Sequence, residues 1–147
     1  MFDPRNEIVG FFSNGRISAS TEYGTRYISV QLREDNEDAT LQYDDIGLLL
    51  LDPPELTSQV IKVNGKTTED TVTIVANLWI YRTEGMKNPE TFVTSVLDTI
   101  QNTIIDNHLD ATNNRLYQFD YVVSIQSETK ELIRKAIMLT VKQFKIR

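Results

Sequence analysis

The sequence predicts an α+β fold, a mostly antiparallel sheet with one long amphipathic helix, about residues 88–107, packed on it. Stretches rich in β-branched and aromatic residues recur along the chain, whereas a sustained three-to-four-residue apolar spacing occurs once. The last two strand-like stretches are separated only by Ser127-Glu128-Thr129-Lys130, a link that suits an antiparallel hairpin and is too short for a parallel crossover. Strands, then one long helix, then strands again is the segregated order of α+β proteins rather than the alternation of α/β ones. The 147 residues amount to one domain, with residues 1–45 forming an N-terminal extension or arm.

Asp3-Pro4 suits the start of a short helix with proline at its first position, and Ile8, Val9, Phe11 and Phe12 would form its buried side. Asn14-Gly15 marks a turn. Residues 17–21 and 26–32 read as extended, the second around Tyr27-Ile28-Ser29-Val30. Residues 46–51 form a short buried strand, stopped by Asp52-Pro53-Pro54. Residues 59–63 are extended, and Asn64-Gly65 suits a type I′ hairpin turn. The clearest strand is 71–82, with Val72, Ile74, Ala76, Leu78 and Ile80 on one face. Its other face, Thr73, Val75, Asn77, Trp79 and Tyr81, is itself half apolar, so it calls for cover by a helix or a neighbouring subunit.

In the helix, Asn88 suits the N-cap, Pro89 the first position and Glu90 the positive end of the dipole. Phe92, Val93, Val96, Leu97, Ile100, Ile104 and Ile105 make the apolar stripe, opposite Asp98, Gln101, Asn102 and Asp106. A polar loop at 110–114 leads to a strand at 116–127, with Tyr117, Phe119, Tyr121, Val123 and Ile125 on one face. The final strand, 131–144, carries Ile133, Ile137, Leu139 and Val141 at even spacing.

Charge and composition remove whole classes of function. A net charge of −6 argues against a dedicated nucleic-acid binder, whose affinity comes largely from neutralising phosphates. The absence of cysteine excludes a disulfide framework, a thiolate zinc site and a cysteine nucleophile. The N-terminus lacks the basic and apolar regions of a signal peptide. The longest strongly apolar run, 46–51, is far short of the roughly 20 residues of a membrane helix. A soluble protein made in the cytoplasm, with no membrane partner, is expected.

The one histidine, His108, reads as lying just past the helix beside Asp106 and Asp110, where a metal or a proton-transfer site is conceivable. A cation near a helix C-terminus explains it more simply, and no HxH, HxxxH or HExxH spacing supports the alternative. The acidic run from Glu34 lacks the glycine of an EF-hand at its sixth position, which is Ala39. Neither a G-x-S-x-G elbow nor a G-x-G-x-x-G or phosphate-binding loop occurs. No catalytic residue, cofactor or metal ligand is therefore expected, and the chain reads as a non-enzyme.

The charge is unevenly placed. Between residues 33 and 55, Glu34, Asp35, Glu37, Asp38, Asp44, Asp45, Asp52 and Glu55 face Arg33 alone, a net −7. Between 130 and 147, Lys130, Arg134, Lys135, Lys142, Lys145 and Arg147 face Glu131 alone. Opposed patches favour head-to-tail contacts between copies, which close into rings when the rotation allows.

The order of these segments over residues 46–147 resembles the tail terminator (tail completion) proteins of long-tailed phages, and more loosely other small neck proteins. The resemblance is one of pattern rather than signature motif. It implies a hexameric ring on the head-proximal end of the tail tube, which ends tube polymerisation and forms the head–tail joining surface. The implied partners are copies of the chain, the tail tube protein, a neck or connector protein, and DNA passing through the lumen without sequence-specific binding. The implied location is the virion tail or neck. On this basis Glu34, Asp35, Glu37, Asp38, Asp44 and Asp45 would line the lumen or a rim, and Trp79, Tyr81, Arg134, Lys135, Lys142 and Lys145 a subunit or tube interface. The chain departs from the family in its first 45 residues, which lack a plain long N-terminal helix. A head–tail connector, a tube protein, an acidic partner-binding module and a small enzyme or ligand-binding domain using His108 are the alternatives.

Overall fold

The computed structural model describes residues 3–21, 24–34, 45–61, 67–81, 89–110, 115–122 and 132–146, without the side chains of 67, 89, 108–110, 115–122 and 144–146. The elements run α1 (Arg5–Gly10), β1 (Arg16–Thr21), β2 (Gly24–Leu32), β3 (Asp45–Leu51), β4 (Glu55–Ile61), β5 (Thr67–Tyr81), α2 (Pro89–Asp110), β6 (Arg115–Val122) and β7 (Leu132–Ile146). One seven-stranded sheet takes the order β1-β2-β3-β5-β7-β6, with β4 also paired to β5. The α+β class holds, and strand pairing is antiparallel except between β2 and β3.

The connection before β3 is long enough to permit that parallel pair. A parallel neighbour needs a crossover of about a dozen residues. Residues 33–44 supply it, so the acidic run is a crossover connection; 35–44 themselves lie outside the described residues.

β3 and β4 lie on the same edge of β5. Leu51 pairs with Ala76 and Glu55 with Thr73, so the two short strands form one line broken at Asp52-Pro53-Pro54. The Asp52 N–H still donates to the Val75 carbonyl at 2.9 Å. The two prolines that follow have no N–H to continue the ladder.

Alternation on β5 follows the sequence: Val72, Ile74, Ala76, Leu78 and Ile80 are all buried. Their partners on β7 include Val141, Leu139, Ile137 and Ile133, also buried. Against this face α2 lays Val93, Val96, Ile100 and Ile104. The helix touches β1 and β6, the strands at opposite ends of the main sheet order, because the sheet curls into a half-barrel around it. Removing these side chains from water stabilises the fold by about 1.5–3 kcal/mol each.

At the N-terminus the short helix forms as expected, although Pro4 occupies the N-cap rather than the first turn. Ile8 and Phe12 join the same core. Asn14 and Gly15 both take positive φ, 57° and 65°, which turns the chain into β1. The N-cap role of Asn88, the hairpin turn at Asn64-Gly65, most of the 110–114 loop, residues 123–127 and the link at 127–130 fall outside the described residues.

Candidate assembly surface

The β5 residues between the core positions point away from α2. Register sets Leu48 opposite Trp79, Leu50 opposite Asn77, Met138 opposite Val75 and Leu132 opposite Tyr81. Directly opposed residues share a face, so these side chains form one half-apolar patch. Val75 is 38% exposed and Tyr81 48%, and Leu48, Leu50, Trp79, Leu132 and Met138 are half-buried. The buried apolar side chains of both helices go to the core on the other face.

A polar ladder crosses the patch and fixes its geometry. The Arg134 guanidinium lies 4.6 Å from the Trp79 ring centroid, a cation–π contact. Its Nη2 donates to Asn77 Oδ1 at 3.0 Å. Asn77 Nδ2 donates to Asp52 Oδ2 at 3.1 Å, and Arg33 Nε donates to Asp52 Oδ1 at 2.6 Å. Asn77 is buried in a face that is otherwise partly open, and both ends of its amide are satisfied. The ladder holds Trp79 against the sheet and leaves Tyr81 and Val75 standing clear.

The structure thus brings Trp79, Tyr81 and Arg134 together on the open face. Lys142 lies further along the same face, with Nζ 3.5 Å from Glu69 Oε1. Lys135 does not join them: it pairs with Leu78, which places it on the helix-side face. Lys145 pairs with Thr68 in the part of β7 whose side chains are not described.

Of the acids expected at a lumen or rim, Glu34 is exposed, with Oε1 3.7 Å from Arg5 Nη2. Asp35, Glu37, Asp38 and Asp44 lie outside the described residues. Asp45 corrects the expectation. Its side chain is 1% exposed and receives a hydrogen bond from Arg16 Nη2 at 2.7 Å. Arg16 also stacks on Tyr27, 4.0 Å from the ring centroid. The Asp45 charge is neutralised inside the chain because β3 begins at this residue, so it faces no solvent rim. His108 also moves: α2 continues to Asp110, so the histidine belongs to the helix's last turn rather than to the segment after it.

The pairing of Arg5 with Asp3 is a further feature that the sequence did not announce. Arg5 is buried, and its Nη1 donates to the carbonyls of Arg33 at 3.1 Å and Leu51 at 3.4 Å. It thereby clamps the ends of the parallel strands β2 and β3. Its Nε and Nη2 donate to the Asp3 carboxylate at 3.0–3.1 Å. Burial opposes ionisation of Asp3, but the Arg5 hydrogen bonds and charge outweigh it and hold the carboxyl below its usual range. An Asp-Pro-Arg triplet is too common a string to have announced this clamp.

Compared with protein-family models the chain matches none, and it matches none of the curated proteins. Among the described residues, no group of three or more His, Cys, Asp or Glu side chains is placed to hold a metal ion, and no helix is long and apolar enough to cross a membrane.

Proposed function

We propose that the chain is a structural ring subunit of a phage neck or tail, of the tail terminator kind, acting by templated assembly rather than by chemistry. The observation that carries the proposal is the open sheet face: a rigid, half-apolar patch around Trp79, Val75 and Tyr81 that nothing in the described chain covers. A patch of this composition with an ordered arginine and aromatics at its centre has the character of a protein interface. Neighbouring copies or the terminal tube ring would bury it. One face of the ring docks on the tube, the other offers no tube-like surface, and growth stops. Glu34 with Asp35, Glu37, Asp38 and Asp44 would sit at the lumen or rim, where negative charge keeps DNA from adhering as it passes.

The test is assembly with a polymerising tail tube protein. The chain alone should form rings visible by negative-stain electron microscopy, and when added to growing tubes it should sit at one end and shorten them. Filaments formed by the chain alone would instead assign it as a tube protein. Rings that leave tube length unchanged would assign it as another neck component. No higher assembly under either condition would refute a virion role.

A further inference from the structure

β4 differs from every other strand whose side-chain burial is described: all seven of its residues are exposed. Leu56, Val60 and Ile61 are among them, Ile61 at 61%. Its only ladder among the described residues is to β5, so its second edge carries backbone donors and acceptors with no strand beside them. Within the strand no proline or lysine blocks that edge, although such residues are the usual protection. At the far side of the same run of strands, β6 pairs, among the described residues, with β7 alone.

Direction and charge together say what fits there. In the run β4-β5-β7-β6 each neighbouring pair is antiparallel, so β4 and β6 point in opposite directions. A second copy in the same orientation therefore brings its β6 alongside β4 antiparallel, and the sheet continues across the boundary without a break in pattern. The lengths differ by one residue, seven in β4 and eight in β6. β4 and β5 carry Glu55, Glu69 and Asp70 with no base, a net −3. β6 and β7 carry Arg115, Arg134, Lys135, Lys142 and Lys145 against Asp120, a net +4. Joining β4 to β6 of the next copy sets the acidic flank beside the basic one, whereas joining β4 to β4 sets like charges together.

We propose that β4 is the strand through which copies join, by antiparallel edge addition to β6 of the neighbouring copy, so that one sheet runs around the assembly. This rests on the ring reading for its partner, since the same edge contact repeated in one orientation is heterologous and closes only by rotation.

The absence of cysteine makes a direct test possible. Ser58→Cys is combined in turn with Leu116→Cys, Gln118→Cys and Asp120→Cys in the full chain, which is then oxidised. One of these pairs should give a ladder of cross-linked multimers that collapses on reduction, and Ser58→Cys alone should give none. In parallel, Val60→Lys with Ile61→Lys places two charges on exposed positions without disturbing the core. This variant should keep the wild-type circular dichroism and run as a monomer. Dimers from Ser58→Cys alone would overturn the inference in favour of β4–β4 pairing. A wild-type assembly that survives the lysine variant and yields no cross-link would overturn edge addition while leaving the ring reading standing. A wild-type chain that is itself monomeric would overturn both.

Discussion

Gly47 pairs with Ile80 on the β3–β5 ladder, and a Cβ there would stand 2.5 Å from the Trp79 carbonyl oxygen and 3.2 Å from Ile28 Cγ1. Those neighbours are backbone and core, so neither can yield easily. Gly47→Ala should destabilise the chain by about 1–3 kcal/mol, as overpacking does. A urea midpoint equal to the wild type would contradict the close approach. Asp3 carries a different prediction. Its folded-state pKa lies below the ordinary aspartate value, so its contribution to stability is present above the unfolded pKa and disappears as pH falls through the folded one. Asp3→Asn should therefore lower the thermal midpoint near neutrality, and the gap to wild type should close in strongly acidic buffer. A gap that persists there would show that packing, not charge, accounts for it. Neither residue was legible in the sequence. The tight fit at Gly47 depends on Trp79 and Ile28, which strand pairing brings beside it from distant positions, and the clamp at Asp3 on carbonyls that lie 28 and 46 residues from Arg5. Asp45 was misassigned for the same reason, since its partner Arg16 is 29 residues away.

Elements were read far better, because their signals are local. Period-two alternation correctly separated Val72, Ile74, Ala76, Leu78 and Ile80 from the open face of β5, and three-to-four spacing identified α2 and its buried stripe. Ile105 is the exception, extending the apolar run onto the exposed side. Ile100→Ala should cost about 2–5 kcal/mol, as a core truncation, while Ile105→Ala should stay within about 0.5 kcal/mol. Similar losses at both positions, measured by chemical denaturation, would mean that the helix is buried on both sides. Asn77→Ala should cost about 1–3 kcal/mol, because it leaves Asp52 and Arg134 each short of a hydrogen-bond partner in a half-buried site. A change below about 0.5 kcal/mol would show that the polar ladder is incidental. Partner choice between elements was not legible. Nothing local says that β2 and β3 run parallel, or that β4 continues β3 along one edge of β5.

For the whole molecule, the sequence pointed to an unusual need, a strand whose second face is itself half apolar. The structure sharpened it: the helix satisfies one side of the sheet, and the open side keeps Val75, Trp79 and Tyr81. The charge division also changed in meaning. It began as an acidic stretch and a basic stretch along the chain; in the fold the basic stretch supplies most of a +4 flank, and Glu55, Glu69 and Asp70, two of them outside the acidic stretch, make a −3 flank on the opposite side of the same run of strands. On the proposed reading such a chain is one sector of a larger object, and its mass in solution tests that most directly. Light scattering on the purified full chain, coupled to size exclusion at micromolar concentration, should give a single closed species of several subunits, six on the terminator reading. A strictly monomeric 16.9 kDa species at every concentration would contradict the account.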